Sequence, residues 1–158
     1  MFRNSTRWTM RLITTGMLVA GLMTVAGAQT APPVSKPPQD AMPKELAALQ
    51  GTWQVVSMNG ESPSDQGAEI AFVVNGSAYQ VIVNGAIDES GTFKLDATKK
   101  PIWFDLSIEQ GNDAGTFQPG VIEIGTDTFA AAFTAPGDTS RPTDVKNGAV
   151  TVTARKRK

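Results

Sequence analysis

Four Asn-Gly dipeptides constrain the fold of this sequence more than any other feature. They are Asn59-Gly60, Asn75-Gly76, Asn84-Gly85 and Asn147-Gly148. Asn-Gly favours the type I′ turn, whose backbone twist matches that of the two antiparallel strands it joins. Since no helical pattern separates these turns, the sequence predicts antiparallel hairpins rather than βαβ units.

The turns divide the chain into eight runs of strand character. We predict strands at residues 52–59, 68–75, 78–84, 87–96, 101–109, 117–124, 127–134 and 148–155. Apolar and other residues alternate along the runs, so each strand has one face to bury. Closing such a sheet on itself buries these faces and removes both sheet edges. The predicted fold is therefore all-β, an eight-stranded antiparallel up-and-down barrel.

The 158-residue chain divides into three predicted parts. Residues 44–158 form the barrel domain, which begins with a short helical turn that carries Leu46 and Leu49 and ends at Gly51. Residues 29–43 contain two Pro-Pro pairs and are expected to form an extended linker, a plain tether rather than a ligand for a partner domain.

Residues 1–28 have the pattern of a secretory signal peptide. Three arginines and no acidic residue precede an apolar run, which ends in Ala26-Gly27-Ala28, a sequence that a signal peptidase accepts. The alternative is a membrane anchor, but the run is shorter than the roughly 20 apolar residues of a spanning helix. We therefore expect export to the periplasm or the exterior, with no integral membrane anchor after cleavage.

Composition limits the chemistry that we expect. The sequence has no Cys and no His, so it offers no thiol nucleophile, no imidazole base and no preferred zinc ligand. Cleavage after Ala28 would change the formal net charge from -1 to -4, which is not the footprint of a nucleic-acid-binding protein. We expect no enzyme activity, no cofactor, no metal and no nucleic-acid partner, and the sequence indicates no specific protein partner.

Several motifs along the chain together resemble one family. They are Leu49-Gln-Gly-Thr-Trp53, Gly91-Thr-Phe-Lys-Leu-Asp96, Lys100-Pro101 followed by Phe104-Asp105-Leu106, Gly120-Val-Ile-Glu-Ile124, Pro136-Gly137, Arg141-Pro142-Thr143, and a last strand ending near Arg155. Their order is similar to that of a small lipocalin-like domain family described mainly from planctomycete bacteria, without an assigned activity.

The resemblance implies a lipocalin-like, calycin-type barrel and a structural role for three residues. Gly51 and Trp53 match the Gly-x-Trp that opens the first strand, and Arg155 matches an arginine that packs across the indole. A guanidinium over an indole gains a cation–π attraction, so this pair would cover one end of the barrel.

Aromatic residues and one arginine are the candidate ligand-binding residues. The aromatic positions are Tyr79, Phe93, Phe104, Phe117, Phe129 and Phe133, which either line a pocket for an apolar ligand or fill the barrel. Arg141 lies in the longest loop, where it would meet an anionic ligand group or form a salt bridge with Asp138 or Asp144. Trp103 is out of phase with Ile102 and Phe104, so its ring is either exposed or covers a second small cluster, and it is a candidate partner contact.

Other polar clusters have simpler interpretations. Asp96 and Asp105 would form an acid/base couple or a Ca²⁺ site, or else a turn cap and an ion pair. Residues 111–115 are acidic and rich in glycine but lack the ligand spacing of a Ca²⁺ loop, so a flexible turn is expected. The basic residues 155–158 are expected to be solvated.

The leading functional hypothesis is an exported barrel that binds a small, mostly apolar molecule. The alternative is a structural or protein-interaction module of the cell envelope with a fully packed barrel and no ligand. An eight-stranded barrel is just wide enough for either, because side chains can fill it or leave room for one small ligand. An open aromatic cavity would favour the first hypothesis, and aromatic rings meeting across the axis would favour the second.

Overall fold

A computed structural model of the protein describes residues 42–158. The predicted signal peptide, residues 1–28, and all of the predicted linker except Met42 and Pro43 lie outside the described residues. Within this part of the chain, no helix has the length and apolar character needed to cross a membrane.

Two short helices and nine strands make up residues 42–158. The α-helix α1 spans Lys44–Leu49 and a 3₁₀ helix spans Pro63–Gln66. The strands are β1 (Gly51–Met58), β2 (Ile70–Asn75), β3 (Ala78–Val83), β4 (Ala86–Asp96), β5 (Ile102–Gln110), β6 (Phe117–Gln118), β7 (Gly120–Ile124), β8 (Thr128–Phe133) and β9 (Val150–Lys156).

The strands close into one antiparallel up-and-down barrel. Apart from β6 and β7, each strand pairs with the next strand in the chain, and β1 pairs with β9 to complete the circuit. Strands β6 and β7 both pair with β5 and are separated only by Pro119, which has no amide hydrogen to donate. Together they form one interrupted strand, so the barrel has eight strands, and the predicted fold class is confirmed.

The up-and-down order places the connections at two ends. We call the end that carries α1, the β2–β3, β4–β5 and β7–β8 turns and the C-terminus the capped end. The open end carries the β1–β2 loop, the β3–β4 turn, residues 111–116 and the long loop 134–149. The Gln50 side chain bridges parts of the capped end, since its amide donates to Leu46 O and Gly76 O and accepts from Gly76 N.

Trp53 anchors the core of the capped end. Its side chain is fully buried, its indole Nε1 donates to Leu49 O at 2.7 Å, and its ring meets Phe129 edge-on at 5.1 Å between centroids. Leu49 is also fully buried, so α1 supplies an apolar cap to this end. The predicted helical turn is present as α1, and the buried, hydrogen-bonded Trp53 contributes to the core at this end.

Lys156, not Arg155, covers the indole. Lys156 pairs with Trp53 across β1 and β9, and its Nζ lies 5.1 Å from the ring centroid and donates to Ala48 O. Arg155 is exposed on the other face of β9, so the prediction for Arg155 was wrong by one residue. The alternation of β9 explains the difference, because Ala154 faces the core and the next residue on that face is Lys156. Gly51 has φ +109, a left-handed conformation that favours glycine, and lies beside the Lys156 stem.

Candidate functional site

An apolar cavity of about 310 Å³ occupies the open end of the barrel. Twelve of its sixteen lining residues are apolar, and the other four are polar or acidic. The apolar residues are Val55, Met58, Ile70, Phe72, Val81, Phe104, Leu106, Phe129, Phe133, Pro136, Val150 and Val152, and the others are Asp88, Glu89, Asp113 and Gln118. The volume is at the lower end of the range that small-molecule sites occupy.

Three of the six predicted aromatic positions line this cavity, namely Phe104, Phe129 and Phe133. Tyr79 and Phe93 are buried but are not among the lining residues of the cavity. The Tyr79 ring stacks on Phe72, and the Phe93 ring meets Phe104 edge-on.

Phe117 does not face the cavity at all. It lies on the outer surface with 46% of its area exposed, which corrects the prediction for this residue. Sequence reasoning also missed Phe72, which is 8% exposed and lines the cavity.

Aromatic rings from distant strands form the floor of the cavity. The Phe72 ring of β2 lies 6.3 Å from Phe104 of β5 and 5.9 Å from Phe129 of β8. Phe104 also meets Phe133 at 5.5 Å. The aromatic residues therefore do both things that the sequence left open, because they fill the middle of the barrel and line the space above it.

The cavity mouth is acidic. Asp88 and Glu89 belong to β4 and Asp113 belongs to the loop 111–116, and we call these three residues the mouth carboxylates. No Lys or Arg lines the cavity. The two ion pairs within residues 42–158 involve Asp105 and Glu69, and neither includes a mouth carboxylate.

Glu89 is the least exposed of the three mouth carboxylates. Its Oε1 accepts a hydrogen bond of 2.9 Å from the Tyr79 hydroxyl. Burial raises the pKa of Glu89, the Tyr79 hydrogen bond opposes that change, and the charges of Asp113 and Asp88 add to the increase. Burial, followed by the hydrogen bond to Glu89, raises the pKa of Tyr79, so this phenol stays a proton donor.

The glycine-rich stretch 111–115 brings the third carboxylate to the mouth. Gly111 has φ +115, and a Cβ at this position would lie 2.9 Å from Asp88 O. Glycine therefore allows both the backbone conformation and the close approach of this loop to β4. The stretch forms a turn, as predicted, and places Asp113 in the cavity lining.

Arg141 lies in an ion pair on the barrel wall and is not among the lining residues of the cavity. Its partner is Asp105, not Asp138 or Asp144 as the sequence suggested. Nη2 donates to Asp105 Oδ2 at 3.0 Å, Nη1 donates to Oδ1, and Nη1 also donates to Gly120 O at 2.7 Å. The guanidinium lies 4.1 Å from the Trp103 ring centroid. These contacts attach the long loop to β5 and β7 and partly cover Trp103.

The remaining candidate carboxylates have structural partners. Asp96 Oδ1 accepts from Thr98 N, which makes it a turn cap, and Asp105 is paired with Arg141. The turn-cap and ion-pair interpretation of this pair is therefore the one that the contacts support. Within residues 42–158, no three acidic side chains are grouped closely enough to hold a metal ion.

Comparison of the sequence with protein-family models found no match, and comparisons with curated proteins and with solved structures also found none. Membership of the lipocalin-like family therefore stays a prediction from the motifs.

Proposed function

We propose that this protein is an exported barrel that binds one small, mostly apolar molecule at its open end. The observation that carries the proposal is the cavity of about 310 Å³, whose walls are mainly Val, Ile, Leu, Met and Phe side chains. Burial of an apolar ligand against such walls is favourable by about 25 cal/mol per Å² of apolar surface removed from water. Export rests on the signal-peptide pattern of residues 1–28 and on the Pro-rich linker.

The cavity supports the first of the two hypotheses that the sequence left open. A packed interaction module needs a filled barrel, but the aromatic rings fill only the middle and leave the open end free. Trp103, the candidate partner contact, has 38% of its area exposed, and Arg141 and Lys99 both lie over its ring. A ring covered by two cations is a poor apolar contact for a partner, so ligand binding is the better proposal.

Native mass spectrometry of the protein purified from its own source tests this proposal. We expect a bound small molecule at near one per chain, which solvent extraction then identifies. A lipophilic fluorescent dye provides a second measurement, because its emission should rise when it enters the apolar cavity.

A matched pair of variants locates the binding. Val152→Phe adds a ring to the cavity wall and should reduce dye binding by about tenfold or more. Val73→Phe makes the same change on β2 at a residue that is not in the cavity lining, and should leave dye binding unchanged. An empty protein that also fails to bind the dye would contradict the proposal, as would equal effects of the two variants.

A further inference from the structure

The mouth carboxylates distinguish this cavity from a purely apolar one. Asp88, Glu89 and Asp113 come from two separate segments, and Gly111 lets those segments meet. A carboxylate at an apolar wall loses part of its hydration, which costs free energy unless a partner compensates. The barrel compensates Asp105 with Arg141, but residues 42–158 place no cation against the mouth carboxylates.

The negative charge of Glu89 is only partly compensated. The Tyr79 hydroxyl donates to Oε1, while no donor within residues 42–158 reaches Oε2. The charged groups that act on Glu89 are Asp113 and Asp88, which are both acidic. Tyr79 therefore holds the carboxylate in position at the cavity wall but does not neutralise it.

A metal ion is a poor candidate for the missing positive charge. Within residues 42–158, no three acidic side chains are close enough to coordinate one. The same carboxylates border walls of Phe, Val and Ile side chains, which suit an alkyl or aromatic group rather than a hydrated ion. Apolar walls beside carboxylates therefore favour a ligand that has both an apolar body and a cationic group.

We propose that the ligand of this cavity is an amphiphilic amine, whose ammonium group pairs with Glu89 while its apolar body lies against Phe104, Phe129 and Phe133. This inference rests on the proposed function and names the ligand class of the same site. The ammonium group donates to the free oxygen of Glu89, and the field of Asp88 and Asp113 attracts cations and repels anions at the mouth. A fatty acid of the same length would bring a negative charge to a mouth that is already acidic.

Calorimetric titration of the full chain with n-octylamine, n-octanol and octanoate at neutral pH tests the proposal. The three probes share one alkyl chain and differ in the charge of the head group. We expect the amine to bind at least about tenfold more tightly than the alcohol and the carboxylate to bind most weakly, because only the amine carries a positive charge that forms a hydrogen-bonded ion pair with Glu89.

Two isosteric variants separate Glu89 from the general charge of the protein. Glu89→Gln removes the charge at the wall and should bring the affinity for the amine close to that for the alcohol. Glu123→Gln removes one charge from an exposed position of β7 and should leave the preference for the amine unchanged.

The outcomes distinguish the two proposals. Octanol binding as tightly as octylamine, or a preference for the amine that survives in Glu89→Gln, would overturn the ligand class while leaving the apolar site intact. Failure of all three probes, together with failure of the lipophilic dye, would overturn the apolar binding function itself.

Discussion

The two ends of this barrel differ in how completely their buried polar groups are paired. At the capped end the indole of Trp53 has a hydrogen-bond acceptor, Lys156 lies over its ring, and Leu49 of α1 excludes solvent. At the open end the apolar walls continue, but they enclose a cavity and border Glu89, whose charge is only partly compensated.

This difference separates the stabilising contacts of the domain from its proposed binding site. Contacts at the capped end lower the free energy of the folded chain directly. The cavity and the raised pKa of Glu89 each reduce the stability of the empty protein, since unfilled space forgoes packing and a partly buried carboxylate loses hydration. Features that weaken the empty fold are typical of sites that a ligand completes.

Trp53→Ala should produce the largest loss of stability. Truncation of a fully buried tryptophan leaves a cavity and removes the contacts with Phe129 and Lys156, so we expect a loss of about 3–5 kcal/mol in the free energy of unfolding. Urea denaturation followed by circular dichroism measures it.

Trp103→Ala is the control for the removal of a tryptophan. Its ring is on the outer surface next to the cations of Lys99 and Arg141, and we expect a loss of about 1 kcal/mol. If the two losses were equal, the capped end would not be the stabilising core of the barrel.

The same Val→Ala substitution at each end compares how tightly the two ends are packed. Val74 is buried at the capped end, and Val74→Ala should cost about 2 kcal/mol because it removes two buried methyl groups and leaves a void. Val152 lines the cavity, so Val152→Ala enlarges existing space and should cost about 1 kcal/mol or less. The same denaturation measurement applies, and a larger loss for Val152 would show that the open end is packed rather than hollow.

The fold was predictable because its signals are local. The Asn-Gly turns and the alternating residues specify hairpins, and every predicted strand overlaps an observed one. Only Pro119 interrupts the sixth predicted strand. The same alternation predicts the correct residue in the last strand, because it puts Arg155 on the opposite face from Ala154 and Lys156 on the inner face.

The site was less predictable because its partners are distant in the chain. Arg141 and Asp105 are 36 residues apart, and loop composition alone favoured the nearer Asp138 and Asp144. A signal for Glu89 was present, because continuing the inward phase of Leu95 and Phe93 back along β4 leads through Gly91 to Glu89. A carboxylate at an inward position of an otherwise apolar strand face is a candidate ligand contact.

The smallest effect, and the most specific to the open end, is the pH dependence of stability that Glu89 contributes. Its folded-state pKa is raised above the ordinary value of 4.5, so the folded chain retains this proton to a higher pH than the unfolded chain does. Stability linked to Glu89 is therefore present below pH 4.5 and decreases as the pH rises through the folded pKa. Glu89→Gln, which resembles the protonated side chain, should be more stable than the wild type at neutral pH and equal to it near pH 4.

Comparing the two proteins at each pH isolates this one group. Asp96, Asp138 and Asp144 have lowered pKa values because they accept hydrogen bonds from Thr98, Ser140 and Asn147, and their contribution is lost at lower pH in both proteins. The groups that face Glu89, namely Tyr79, Asp88 and Asp113, are also the same in both. A stability difference between the variant and the wild type that does not change with pH would mean that the folded barrel does not perturb Glu89. A difference that grows toward neutral pH would confirm that the folded barrel raises the pKa of Glu89.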